Sequence, residues 1–354
     1  MNNLNQTKTN TFSAKILDVL NHAMLNLMIG IGYQTRLFEI MAELPPSTSK
    51  QIAATAKLKE RYVREWLAAM AAGEIIDYDP ATGTFNLPSE HASVLTQVAG
   101  TNNMARLAMV VPYLASVQQS VTHCFREGGG VNYSAYPDFM RLWSEINAER
   151  FDATINQLML PLMPEVVRAL EQGIDVLDVG CGDGHVLHLM AKAFPKSHFT
   201  GYDFLEDNIE LARERARALG LTNTSFTARD VTDFIGSDKY AFITAFDVIH
   251  DMAKPAEVLQ SIADSLKPDG TFLLVDLSAS SNLHENLDHP LGQWLYTTSC
   301  MHCMPVSLAL DGAGLGTMWG EQQAMQMLNT AGFVNIDVKK IPEDIFNNYY
   351  ETSA

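Results

Sequence analysis

Two short segments hold the residues with the greatest chemical reach. In the first, Asp247-Val-Ile-His250-Asp251, an imidazole sits beside a carboxylate just past the apolar run Tyr240–Phe246. An imidazole titrates near neutral pH, so a His next to an acid at a strand end suits proton removal from an acceptor. A His that merely ends a strand is the alternative. Asp276, at the end of the run Thr271–Asp276, is the candidate to orient that ring. The second segment is Val176-Leu-Asp178-Val-Gly180-Cys-Gly182-Asp-Gly184-His185, where an apolar run ends in an acid two places before a glycine cluster. Glycines there let the backbone approach a ligand and take φ > 0 without a Cβ clash. About nineteen residues beyond Gly184 the run His198–Asp203 ends in a second acid, the spacing that places a carboxylate on a ribose diol. The ligand expected is one with an adenosine end.

The glycine register narrows the ligand. A nicotinamide dinucleotide turn needs glycine at its first, third and sixth places, but the sixth place from Gly180 is His185. Asp178 would also put negative charge where a dinucleotide needs room for pyrophosphate. A cationic ligand with a free amino group fits better.

Those residues must be held by alternating strands and helices, and the C-terminal half supplies them. Helices are predicted at Gly184–Ala193, Glu206–Leu219, Pro255–Leu266 and Glu321–Thr330. Strands are predicted at Thr224–Arg229, Tyr240–Phe246, Thr271–Asp276, Phe333–Val338 and near Phe346–Tyr349, with Lys267-Pro-Asp-Gly270 as a turn. The alternation implies an α/β fold: a doubly wound, mainly parallel seven-stranded sheet whose last strand is antiparallel. In such sheets ligands sit beyond the carboxyl ends of the strands, where the motif residues lie.

The pattern Asp178-x-Gly180-x-Gly182-x-Gly184 with a following strand ending in Asp203 resembles the cofactor signature of class I S-adenosylmethionine (AdoMet) methyltransferases, over roughly residues 150 to 350. The resemblance implies that Gly180, Cys181 and Gly182 back the methionine part, with Asp178 near its ammonium. It places Asp203 and Phe204 at the ribose, Asp230 and Val231 at the adenine, and Phe246 and Asp247 beside the sulfonium. Asp230 or Asp247 taken singly reads equally well as a helix cap. The His250-Asp251 pair is similar to that of small-molecule O-methyltransferases with an N-terminal winged helix, where the His is the general base. The catalytic candidates are therefore His250, Asp251 and Asp276. The tryptophan that follows this pair in plant-type enzymes is Met252 here. The resemblance implies methyl transfer to O, N or C of a small acceptor, with S-adenosylhomocysteine as product. An NAD-type oxidoreductase and an AdoMet-sensing winged-helix regulator are the alternatives.

At 354 residues with 47% hydrophobic and 18% charged side chains, the chain should fold as more than one domain. The divisions expected are 11–95 for a mostly helical winged-helix and dimerisation domain, 96–160 for a helical linker and lid, and 161–354 for the cofactor domain with an insertion at 278–320. In the first, an apolar helical pattern from Ile16 to Met41 should break near Gly30 and Gly32. A capped helix from Ser47, a second helix Glu60–Met70 and a hairpin over Glu74–Leu87 follow. A winged helix invites a DNA-binding reading. The formal net charge of −17 denies it the electrostatic term on which nucleic-acid affinity rests, so no nucleic-acid partner is expected. Pairing into a homodimer is the better use of the apolar first helix.

The start of the chain is polar, and no uninterrupted apolar run looks long enough for a bilayer, so a cytoplasmic protein without a membrane partner is expected. Four cysteines in so long a chain are no disulfide framework. Cys300-Met-His-Cys303 lacks two further ligands at matching spacing, so no metal is expected. For the acceptor, Tyr136 and Phe139 come from the segment Tyr133–Trp143. Trp294, Met301 and Met304 come from the long connection after Asp276, a soft, uncharged lining suited to a largely apolar small molecule. The glycines of Asp311–Gly316 suit either a moving lid or a plain loop.

Overall fold

The computed structural model describes residues 4–233, 239–342 and 344–353. Two compact units emerge: residues 1–116 with 138–143, and residues 117–137 with 144–354.

The first unit opens with α1 (Gln6–Thr35), followed by α2 (Leu37–Glu43), α3 (Ser49–Ala56), α4 (Glu60–Ala72) and the hairpin β1 (Asp77–Asp79) and β2 (Thr84–Asn86). Thr48 and Gln51 form a reciprocal capping box that starts α3. Phe38, Ile52, Trp66, Leu67 and Met70 form its buried centre. The helix-turn-helix and hairpin expected from the sequence are all present. The break in the first helix is not where it was expected. It falls at Arg36, whose φ of 58° ends α1 and caps α2, while Gly30 and Gly32 lie inside a continuous helix. Gly32 serves packing instead, since a Cβ there would collide with Phe38 and Trp66.

α1 is also unusually long. Its 30 residues, at a mean hydropathy of 1.3 over the most apolar window, make it long and apolar enough to cross a membrane by length and composition. Isolated polar residues along the helix hide this from a search for an unbroken apolar run. Only 11% of that window is buried within the chain.

The second unit is built on a seven-stranded sheet, with β3 (Asp175–Val179), β4 (His198–Asp203), β5 (Thr224–Ala228), β6 (Tyr240–Phe246), β7 (Leu266–Leu277), β8 (Val334–Lys339) and β9 (Asn347–Ser353). The strand order is β5-β4-β3-β6-β7-β9-β8. Five strands run parallel, and β9 enters antiparallel between β7 and β8. The mainly parallel doubly wound sheet read from the sequence is thus the fold found. Side chains alternate between two buried layers along each central strand: Val176, Phe242 and Leu273 face one, Leu177, Ile243 and Leu274 the other. Lys267–Gly270 is not a turn ahead of β7. Leu266 already pairs with Tyr240 and Thr271 with Phe242, so those four residues bulge out within the strand. The order reverses between β3 and β6, whose neighbours β4 and β7 lie on opposite sides. That switch point brings the ends of β3, β4, β6 and β7 to one edge.

Candidate functional site

After β3 the chain turns on three glycines with positive φ: Gly180 at 73°, Gly182 at 54° and Gly184 at 76°. The first and third are there for close packing as well as conformation, since a Cβ on Gly180 would strike Val248 and one on Gly184 would strike Phe226. Gly182 differs. A Cβ on it would meet nothing within 4 Å, so its face is open while its N–H is fixed. That N–H donates to Oδ2 of Asp203 at 2.9 Å. The N–H groups of Gly180 and Cys181 both donate to the carbonyl of Tyr202, at 2.8 and 3.0 Å. The turn is thereby laced to the end of β4.

Asp203 is buried, and its other oxygen accepts from the N–H of Leu205 at 2.9 Å and the amide of Asn208 at 3.3 Å. Burial raises its pKa against these donors. Asp178 is more deeply buried and has one hydroxyl partner, Thr244, which donates at 2.7 Å. Desolvation pushes its carboxyl up to about 7, with Thr244 pulling the other way. Phe204 is half exposed and lies with its ring 5.6 Å from that of Tyr133.

At the end of β5, exposed Asp230 accepts from the N–H and hydroxyl of Thr232 at 2.9 and 2.8 Å, which makes it the cap of a short 3₁₀ turn starting at buried Val231. Asp247, one residue past β6, has φ 51° and is held by an ion pair with Arg150 at 2.5 Å. Both side chains are nearly enclosed, 14% and 6% exposed for Arg150 and Asp247. Burial opposes the guanidinium's charge, but Asp247 and Asp344 carry its pKa above the ordinary value, so Arg150 stays cationic. Phe246 sets its ring edge-on to Phe151. Arg150 had no signal in the sequence, where it is one charged residue in a helix that carries several.

At the centre of a second cluster is His250. A 3₁₀ turn, Ile249–Asp251, follows β6 and buries the imidazole to 3% exposure. Its Nδ1 lies 2.7 Å from Oδ1 of Asp276, an oxygen that also accepts the N–H of Leu277 at 2.8 Å. Its Nε2 lies 3.4 Å from Oδ1 of Asp251. Desolvation favours the neutral ring, but Asp276 and then Asp251 outweigh it and hold the His250 pKa well above its ordinary value. The two acids named beside this His in the sequence are the two that flank it.

Over this centre lie aromatic and sulfur groups. The hydroxyl of Tyr133 donates to Oδ2 of Asp251 at 3.2 Å, and that of Tyr136 to the carbonyl of Met301 at 2.8 Å. His302 stands edge-on to both tyrosine rings, at 5.8 and 4.7 Å. Tyr136 and Met301 therefore come together beside the catalytic candidates. Met304 packs along the loop of Gly314 and Gly316. Trp294 turns its ring toward Phe346, and Phe139 belongs to the first unit, where it stacks on Trp143. The loop 311–316 is pinned down: Ala313 and Gly316 donate to the carbonyls of Ala253 and His250 at 2.8 and 3.2 Å.

Comparison with known proteins bears on this arrangement. Residues 23–97 match the model of the Rv2258c-like winged HTH domain, and residues 170–332 that of the methyltransferase domain. The chain joins a winged HTH domain to a methyltransferase domain. Within the latter, 122 residues are 31% identical to ubiquinone biosynthesis O-methyltransferase of Actinobacillus pleuropneumoniae serotype 7, covering 32% of this chain and 51% of that protein. The match thus spans about half the length of that relative. Among solved structures, mitomycin 7-O-methyltransferase is similar at a TM-score of 0.67 and 18% identity, covering 99% of this chain and 100% of that one. Human N-acetylserotonin methyltransferase, solved in complex with SAM, is similar at a TM-score of 0.61 and 16% identity, covering 100% and 99%. At those identities the likeness is one of fold. The methyltransferase domain contains the glycine turn, Asp203, Asp230, Asp247, His250 and Asp276, so every cofactor and catalytic candidate from the sequence falls inside it.

Proposed function

We propose that this chain is an AdoMet-dependent methyltransferase acting on O, N or C of a small, largely apolar acceptor. The observation that carries the reading is the pairing of an open glycine face at Gly182 with a buried carboxylate, Asp203, fixed by the same residue's N–H. A backbone free of Cβ atoms on one side and an acid at the next strand end suit a nucleoside that must lie close to the turn. Gly180, Cys181 and Gly182 would hold its amino-acid end, with Asp178 toward the ammonium. Asp203 and Phe204 would hold the ribose, and Val231 the adenine. Asp230 has its carboxylate committed to Thr232 on one oxygen, which leaves the other for an amino group. Asp247 acts through its backbone and its pairing with Arg150. When bound, AdoMet supplies an electrophilic methyl group on a sulfonium.

The chain's own work is alignment and proton handling. Asp276 holds the ring of His250 by Nδ1, which leaves Nε2 facing Asp251, whose other oxygen accepts from the hydroxyl of Tyr133. An acceptor hydroxyl or amine brought there would give up its proton to the neutral form of His250, whose raised pKa makes it the stronger base once that form is present. Tyr136, Met301 and Met304 would border the acceptor, and their lack of charge favours an apolar one. Trp294 and Phe139 are assigned to packing rather than to the acceptor.

The chain is further proposed to be a homodimer. Leu17, Leu20, Met24, Leu27 and Ile31 recur at the three- and four-residue spacing of a helix–helix seam along α1, and all are exposed. A cytoplasmic home accords with four cysteines that are all free. The −17 net charge speaks against nucleic acid as a partner for the winged helix. Calorimetric titration of ligand-stripped protein with AdoMet, S-adenosylhomocysteine and NADH tests the reading. Heat from the first two alone supports it, and heat from NADH alone, or from none, ends it. A mobility-shift assay at low salt tests the regulator alternative.

A further inference from the structure

One helix bridges the two strand ends that carry the cofactor candidates. It runs Pro137–Thr154, and its residues from Ser144 onward belong to the second unit. At about 100° per residue, Arg150 and Asp152 stand roughly 200° apart around its axis, so they reach to opposite sides. Arg150 pairs with Asp247 past the end of β6, and Phe151 sets its ring 5.0 Å from that of Phe246. On the other side, Oδ1 of Asp152 lies 2.9 Å from Nε2 of His185, and the hydroxyl of Ser144 donates to Oδ2 of Asp183 at 3.0 Å. Asp183 and His185 directly follow Gly182, whose face is open. The helix is therefore fastened both to the glycine turn after β3 and to the end of β6.

The two fastenings differ in strength. The side chains of Arg150 and Asp247 are 14% and 6% exposed, and parting them strands a buried charge. Those of His185 and Asp152 are 26% and 56% exposed, and Ser144 is exposed as well. Such contacts break readily, because water replaces each partner. Asp183 stays satisfied when Ser144 leaves: Arg215 holds the same oxygen at 2.6 Å, and the N–H of His185 donates to the other at 3.3 Å. The glycine turn thus keeps its partners with the helix detached. At its far end the helix passes into a π turn, Ile155–Met159, whose two end residues are buried. Single π turns inside helices are frequent at functional sites. A pinned edge, a weak edge and an anchored end are what a hinged cover requires.

We propose that residues 144–154 form a gate on the cofactor site, held shut by Ser144–Asp183 and Asp152–His185 and hinged on Arg150–Asp247. The proposal rests on the methyl-transfer reading and adds to it how AdoMet enters and its product leaves. Opening parts the helix from the glycine turn, while the segment Asp247–Asp251 that carries His250 stays pinned. A gate that shuts over the empty and the loaded site alike sets both rates and leaves the affinity alone, because the open fraction multiplies entry and exit equally.

Ser144→Ala with Asp152→Ala removes both latch contacts and touches neither the hinge nor any cofactor or catalytic candidate. In full-length chain, association is followed by stopped-flow fluorescence, and dissociation by chasing bound radiolabelled AdoMet with excess S-adenosylhomocysteine. Both rates should rise by about three- to tenfold, which two exposed contacts together account for, with the Kd within about twofold of the parent. Arg61→Ala, which breaks an exposed ion pair with Glu65 in the first unit, should change neither rate. Unchanged rates in the latch variant overturn the proposal. Faster dissociation with association unaltered overturns it too, since that marks lost cofactor contacts rather than a freer gate, and so does equal acceleration in Arg61→Ala. A parent chain that binds neither compound fails the methyl-transfer reading itself, and the gate with it. A parent that binds AdoMet at rates indifferent to the latch loses the gate alone.

Discussion

Gly182 donates its N–H to Oδ2 of Asp203, so the turn after β3 and the acid ending β4 act as one piece. Asp203→Ala is expected to strand the N–H groups of Gly182 and Leu205, at about 1–3 kcal/mol for each that stays buried. AdoMet affinity should fall with it. Gly182→Ala separates the two effects. The new Cβ has room, and its φ of 54° costs about 1–2 kcal/mol, yet the methyl group projects into the open face. A modest drop in Tm with a large loss of AdoMet heat is the expected pair of readings. Unchanged AdoMet heat would remove this face from cofactor binding.

Asp178 should give the protein a pH signature. Its folded pKa is raised from 3.8 to about 7, so its stabilising contribution is complete below the unfolded value and is lost as pH rises through about 7. Asp178→Asn removes that loss. The Tm advantage of the Asn variant over the parent should therefore grow between pH 5 and pH 8. AdoMet binding should move the opposite way in the parent, strengthening as the carboxylate forms, and should be flat with pH in the variant. A parent whose affinity ignores pH across that window would contradict the role given to Asp178.

The Arg150–Asp247 pair is enclosed, and removing one partner leaves a buried charge. Arg150→Met should destabilise the fold by about 3–5 kcal/mol in urea melts. Adding Asp247→Asn should restore most of that, because the orphaned charge disappears and Asn tolerates the positive φ of this position. A double variant no more stable than the single one would show that the pair matters for more than charge.

His250→Ala should leave AdoMet affinity within about twofold while kcat with the true acceptor falls by about a hundredfold or more. The measurement is turnover beside calorimetric affinity on the same preparation. Unchanged kcat would remove His250 from the chemistry.

For the dimer, Leu20→Glu with Met24→Glu puts two charges into the exposed seam of α1. Sedimentation should turn a two-copy species into a single-copy one with secondary structure retained. A parent that sediments as one copy at every concentration rules the seam out as a self-association face.

Much of the fold was legible in the sequence because its local signals agree. The glycine register after Val179, the acid at Asp203, the proline starting Pro255–Ser265 and the capping pair Thr48 and Gln51 each follow from backbone conformation or one orphaned N–H, within a few residues. Asp178, Asp203, His250 and Asp276 could be grouped in advance because strand ends in a parallel sheet converge, which is a rule of topology. The break at Arg36 was misplaced because a glycine inside a helix can serve close packing as well as a kink, and only Phe38 and Trp66 decide which. The bulge in β7 was read as a turn because Pro-Asp-Gly signals a reversal whether or not the flanking residues pair with β6.

What the sequence determined by itself was the class of sheet, the glycine turn and the acids at its strand ends, all properties of short segments with strong backbone preferences. The tertiary structure alone decided that Arg150 neutralises Asp247, that the Thr244 hydroxyl donates to Asp178, and that Cys303 lies near His250. Those pairs are separated by many residues, and a side chain carries no local mark of a partner that only the packing of distant elements brings within reach.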